Sequence, residues 1–187
     1  LGHPTRVDAA TRPSDAALET LARRLLAARN PVLVAGHELS SRNALHEAAE
    51  LAELLGAGVW QETIPYSANF VSGHPAFMGT LTRSQPQVRA ALAPHDLLVC
   101  LGCEVLRMSV HNAVDAVPEG MPIVQISERD WELGKNHPTE IAIRADIGET
   151  LRALNAWLRA RMTAAQKQAA KQRLAGLAGA NWSAKHA

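Results

Sequence analysis

This sequence predicts an α/β fold: a doubly wound, Rossmann-like parallel sheet of about six strands with helices on both faces. Three observations lead there. Short continuous apolar runs at Pro31–Ala35 (PVLVA), Leu97–Leu101 (LLVCL) and Ile123–Ile126 (IVQI) lack the alternation of a half-solvated strand, so they suit strands covered on both faces. Segments with a helical apolar period separate them, and a chain of alternating strands and helices packs as layers around a parallel sheet. The runs also open into Gly- or Ser-bearing turns (Gly36, Gly102, Ser127), which marks their carboxyl ends as the place where such a sheet receives ligands.

In chain order, Ser14 and Asp15 start a helix whose Leu18, Leu21, Ala22 and Leu25 share one face, and Pro31 bounds it. Gly36 permits a tight turn after the first strand into a loop, His37 to Ser41, whose serines are expected to cap the next helix. That helix carries Leu45, Ala48, Ala49, Ala52 and Leu55 as a stripe and ends near Gly56 or Gly58. Its HEAAE run, His46 to Glu50, has Glu where a zinc-binding H-E-x-x-H motif needs its second His, so it reads as a solvated helix face.

Val59 and Trp60 begin a second strand. The segment that follows, Glu62 to Leu81, is too long for an ordinary connection and reads as a lid or an interface. Its His74, taken alone, suits a buried or capping histidine. A helix from about Gln85 to Leu92 with Pro86 in its first turn leads to the Leu97 strand, and Pro122 to Ser127 forms the next. Glu128 to Leu133 is a short helix or turn, and Ile141 to Ala145 a last strand. Asp146 with Glu149 forms a capping box for a helix burying Leu151, Leu154, Trp157 and Leu158, and Thr163 with Gln166 repeats the pattern for a weaker helix to about Leu174. The Ala- and Gly-rich end beyond shows no clear core face.

At 187 residues and 47% hydrophobic content, one domain with tails is expected. The 19 Lys plus Arg against 18 Asp plus Glu give no field that would draw nucleic acid or an anionic membrane, and neither is expected as a partner. From Thr150 onward there are seven bases (Arg152, Arg159, Arg161, Lys167, Lys171, Arg173, Lys185) and no acid, a pattern that suits a solvated face or linker without any nucleic-acid reader motif. No apolar stretch approaches the ~20 residues of a membrane span and no signal peptide is visible, so the expected location is cytoplasmic. Cys100 and Cys103 form a C-x-x-C pair, but Cys100 lies within a strand and no second pair completes a zinc site, so packing is the reading. The start at Leu1 and the Pro, Thr and Arg texture of the first residues suggest a segment of a longer protein: linker 1–13, folded domain 14–162, and a helical or flexible linker 163–187 toward a further domain.

Five stretches carry a resemblance: NPVLVAG from Asn30, AELLGAGVW from Ala52, GHPAFMG from Gly73, HDLLVCLG from His95 and ADIGETLRAL from Ala145. In this order they resemble the central domain of thiamine diphosphate-dependent enzymes, over about Ser14 to Leu158. Within that family the chain is similar to the benzoylformate decarboxylase branch, through His74, Pro75, Phe77 and Gly79, then Gly102, Val105 and Arg107, then Ala145 to Gly148.

The resemblance implies a non-catalytic domain of a 2-keto-acid decarboxylase that supports domain arrangement and subunit assembly. Thiamine diphosphate and Mg²⁺ would belong to the full-length enzyme, held by flanking pyrimidine- and diphosphate-binding domains in a homo-oligomer. No G-D-G segment occurs in this chain, so the segment alone is expected to bind no cofactor and to be inactive. FAD-holding relatives typically carry an Arg shortly after the Leu97 strand and acids on the next; here those places hold Glu104, Gln125 and Ser127, so FAD is not expected. The alternative is a nucleotide (FAD or ADP)-binding module like that of acetolactate synthase or oxalyl-CoA decarboxylase. Its candidate site residues are Gly36, His37, Gly102, Cys103, Ser127 and Asp146 at the strand ends, with turn and cap roles as their plainer reading.

Overall fold

Strand β1 (Pro31–Ala35) is the hub of the sheet, with β2 (Gly58–Gln61) on one side and β4 (Leu97–Leu101) on the other, both parallel to it. With β3 (Phe77–Thr80), β5 (Ile123–Ser127) and β6 (Ile141–Arg144) the order is β3-β2-β1-β4-β5-β6, parallel throughout. Winding reverses between β1 and β4, and connections that leave in opposite directions open a crevice at the carboxyl edge there. This arrangement comes from a computed structural model that describes residue 8 and residues 10–186; residues 1–7 and 9 of the expected N-terminal linker lie outside the described residues.

The period of two along each strand divides the core. Leu33 and Ala35 of β1, Leu97, Val99 and Leu101 of β4 and Val124 and Ile126 of β5 face α1 (Asp15–Ala27), α3 (Leu45–Leu55) and α5 (Ile147–Arg161). Val32 and Val34, Leu98 and Cys100, and Ile123 face α4 (Gln85–Leu92) together with Val105, Leu106, Ala116 and Val117 of the irregular segment after β4. Each fully buried leucine in these layers stabilises the fold by about 1.5–3 kcal/mol. This two-sided burial is why the strands are apolar at consecutive positions.

Several local expectations meet a different outcome. His37–Ser41 is a short helix, α2, and Ser40 and Ser41 bond carbonyls of their own turn (His37 O at 2.9 Å, Glu38 O at 3.2 Å). They do not cap α3, whose N-cap is Ala44. The long segment after β2 contains β3, hidden from a periodicity reading because it is four residues with a glycine third. Asp146 caps α5 by accepting from Glu149 N at 2.9 Å, but Glu149 turns its own carboxylate to Arg152, so the reciprocal half of the box is absent. Thr163 and Gln166 do form the full box, at the start of α6 (Ala164–Gly176).

The C-terminal region, expected as a weaker helix followed by an Ala- and Gly-rich end without a clear core face, docks on the sheet assembly. Ala170 of α6 packs on Gly56, the left-handed C-cap of α3. Arg173 donates to the Leu55 carbonyl from Nε at 3.0 Å and Nη2 at 2.6 Å, satisfying an orphan acceptor at a helix end. Trp182 of α7 (Trp182–Lys185) packs near Phe77, and Asn181 Nδ2 donates to Pro75 O at 3.2 Å. Much of the basic run is used the same way: Arg152 meets Glu47 and Glu149, Arg159 meets Glu50, Arg161 lies over Trp157 and Lys185 over Trp60.

Candidate functional site

The crevice between β1 and β4 is lined by the first residues after the strands. Gly36 and Gly102 face one another across it: Gly36 N–H donates to Leu101 O at 2.9 Å, and Glu38 N–H donates to Gly102 O at 3.1 Å. Only residues without a side chain fit, since a Cβ on Gly36 would meet Gly102 O and Cys103 Cβ, and one on Gly102 would lie 2.6 Å from Glu38 Cβ. Gly102 also has φ +66°, a conformation that disfavours any other residue. The two turns therefore close on each other.

A glutamate follows each of four strands at this edge: Glu38 after β1, Glu62 after β2, Glu104 after β4 and Glu132 beyond β5. Glu38 is 5% exposed, and its carboxylate accepts Ser127 Oγ–H at 2.7 Å and Glu128 N–H at 3.0 Å. Burial raises its pKa, and these two bonds oppose the rise. Burial pushes Glu62 up to about 7, against the His37 backbone N–H, the Arg107 charge and Asn69 Nδ2, which donates at 2.9 Å. Glu104 pairs with Arg107, and Glu132 with Arg129 at 3.1 Å.

Ser127 is thus spent on Glu38. Gln125, fully buried, donates to Cys103 O at 3.1 Å and Glu132 O at 3.0 Å and accepts Gly134 N–H at 2.9 Å. Cys103 is buried beside Cys100, whose thiol, with burial, pushes the Cys103 thiol well up; its Sγ lies 3.7 Å from Val34 O. Asp146 caps α5 and lies 3.4 Å from Arg42 Nε. His37 sits edge-on to Tyr66, 6.0 Å between centroids, with Nδ1 buried and without a hydrogen-bond partner. So Gly36, His37, Gly102, Cys103 and Ser127 gather round one crevice, and Asp146 joins it only through Arg42 and Glu128.

Sequence reasoning singled out Glu104 but missed Glu38, Glu62 and Glu132. A signal existed: β1 and β4 both run into Gly-x-Glu, Gly36-His37-Glu38 and Gly102-Cys103-Glu104. The other motif residues serve structure. His74 Nδ1 accepts Ala76 N–H at 3.1 Å and Nε2 lies 3.2 Å from Glu53, fixing the turn into β3. Glu50 of the HEAAE run accepts Asn155 Nδ2 at 3.0 Å and pairs with Arg159.

A six-stranded parallel sheet in this order, with its crevice closed by its own side chains, defines a Rossmann-like domain that holds its strand-end contacts internally. The family described as "Thiamine pyrophosphate enzyme, central domain" matches residues 18–154, and the chain belongs to it. Benzoylformate decarboxylase of Pseudomonas aeruginosa is 34% identical over 149 residues, 80% of this chain and 28% of that protein. Pyruvate oxidase of Lactiplantibacillus plantarum is 30% identical over 143 residues, 76% of this chain and 23% of that protein. Among solved structures, the thiamine diphosphate-dependent 4-hydroxybenzoylformate decarboxylase of Rhodococcus jostii RHA1 superposes with a TM-score of 0.74 at 28% identity, covering 83% of this chain and 29% of that one. The chain therefore spans under a third of the length of these relatives.

Thiamine diphosphate is implied by the family, and the crevice does not fit it. Among the described residues no group of three or more His, Cys, Asp or Glu is placed to hold a metal. The donors that could meet a diphosphate, Ser127 Oγ–H and Glu128 N–H, are bonded to a carboxylate. Among the described residues no helix is long and apolar enough to cross a membrane.

Proposed function

We propose that this chain is the non-catalytic central domain of a thiamine diphosphate-dependent 2-keto-acid decarboxylase of the benzoylformate type, spacing two flanking cofactor-binding domains and supporting subunit assembly in the cytoplasm. The observation that carries the reading is the Glu38 clasp on Ser127 and Glu128, which fills the crevice where a fold of this class would take a cofactor. The likeness to benzoylformate decarboxylase supports the substrate class. Thiamine diphosphate and Mg²⁺ belong, in this reading, to the flanking domains of the same polypeptide, and FAD has no place in it. The segments 1–13 and 163–187 are the passages toward those domains, the second docked on the sheet before it leaves.

The Glu62 to Leu81 segment is the proposed contact surface. Asn69, Phe70, Ala76 and Phe77 anchor it in the core, while Tyr66 and Val71 stay exposed. An apolar exposed side chain on an anchored loop suits a partner surface better than a mobile lid. Two assays test the proposal. The chain given thiamine diphosphate, Mg²⁺ and benzoylformate should release no CO₂, and the intact polypeptide that contains it should decarboxylate benzoylformate. Turnover by the chain alone, or an intact protein inert toward 2-keto acids, overturns it.

A further inference from the structure

A fold with this strand order receives phosphates at its switch point, where backbone N–H groups and a helix start face the ligand. Here a side chain of the protein is in that place. Glu38 leaves the first turn of α2 and reaches over the end of β4 to β5, where Oε1 accepts Ser127 Oγ–H at 2.7 Å and Oε2 accepts Glu128 N–H at 3.0 Å. Both oxygens act as acceptors, the pattern of an ionised carboxylate. Ser127 is held in its donor role because its Oγ accepts Arg129 N–H at 3.1 Å. Beneath the side chain, Gly102 makes the room: a Cβ there would lie 2.6 Å from Glu38 Cβ. The nearby charges are themselves paired, Arg42 with Glu128 and Asp146 and Arg129 with Glu132, so the two hydrogen bonds are what hold the Glu38 carboxylate.

We infer that Glu38 is an internal plug, its carboxylate occupying an anion site built from Ser127 Oγ–H and Glu128 N–H, and thereby barring phosphate-bearing ligands from the crevice. The inference rests on the reading of this chain as a domain that holds no cofactor. Exclusion has two components. The donors are already bonded, and a second anion would stand close to a buried negative charge. Truncating Glu38 to Ala leaves both donors, Ser127 Oγ–H and Glu128 N–H, facing a hole about the size of a carboxylate. A small oxyanion would fill it.

Thermal unfolding of the full chain in pyrophosphate, in formate and in NaCl of equal ionic strength tests this, with ADP calorimetry beside it. The wild type should respond to pyrophosphate and formate as it does to NaCl, and should not bind ADP. Glu38→Ala should be stabilised saturably by both anions, with an apparent affinity at least tenfold tighter than wild type, and a further Ser127→Ala should remove that gain. Should Glu38→Ala not fold, Glu38→Ser decides, because it also empties the carboxylate's place while keeping a small polar residue at the start of α2. A pyrophosphate response above wild type then supports the plug, and a response equal to wild type overturns it. Equal responses of wild type and Glu38→Ala overturn the plug alone, whereas binding of ADP by the wild type overturns both the plug and the proposed function.

Discussion

Gly79 of the edge strand β3 lies against Trp182 of α7, so close that a Cβ on Gly79 would sit 2.8 Å from the ring atom Cε3. The contact joins residues about a hundred positions apart and covers one edge of the sheet with the last helix. Gly79 is also at φ +114°, outside the range of other residues. Gly79→Ala should therefore displace Trp182 and destabilise the fold by about 1–3 kcal/mol through strain and lost packing. Denaturant unfolding gives the magnitude, and a red-shifted tryptophan emission before the main transition would report the displaced helix.

The same docking predicts the effect of truncation. Removing residues 163–187 strips Ala170 from Gly56 and Arg173 from the Leu55 carbonyl. The truncated chain should melt several degrees below the full one, since each ~1 kcal/mol moves a domain of this size by roughly 2–4 °C. Arg173→Ala alone should reproduce part of the loss, on the order of 1–2 kcal/mol for the charge-assisted bonds to a helix-end carbonyl. An unchanged melting temperature on truncation would make the tail a passive linker.

Glu62 predicts a pH dependence. Its folded pKa is raised to about 7 by burial, above the 4.5 it has when unfolded. The unfolded chain releases this proton first, so the contribution to stability is fully present below about pH 4.5, falls as pH rises toward 7 and is constant beyond. Discounted for the partial exposure of the group, the fall should amount to about 2 kcal/mol. Glu62→Gln should flatten that part of the stability profile measured by denaturant unfolding. A wild-type profile that rises from pH 5 to 7 by the Glu62 difference would contradict the assignment.

Cys103 should be inert. Its thiol is buried, and the neighbouring Cys100 thiol together with burial raises its pKa, so little thiolate forms at neutral pH. Native protein incubated with iodoacetamide should keep both thiols, as read by intact mass, and should lose them on adding denaturant. Fast labelling of the native chain at neutral pH would show that the C-x-x-C pair does chemistry.

The crevice itself was only partly legible in the sequence. Gly36, Gly102 and Ser127 are visible as turn residues because strands of this kind end at glycine and serine. What fills the crevice could not be read. Glu38 and Ser127 are 89 positions apart, and nothing in composition or spacing pairs them. The β3 strand was illegible for a different reason: Phe77–Thr80 is short and interrupted by glycine, and its strand geometry is imposed by hydrogen bonding to β2.

By itself the sequence determined what depends on local chemistry: consecutive apolar residues in the strands, the Ser14, Asp146 and Thr163 caps, and the motif order that marks the family. Only the tertiary structure decided what depends on distant residues meeting in a medium of low dielectric. Burial makes an unpaired carboxylate costly, so Glu38 must find donors wherever the fold offers them, and those donors exist only once β5 lies beyond β4. The tail follows the same logic: α6 has little amphipathic pattern, and its position is set by a helix-end carbonyl and a glycine that other elements bring to it.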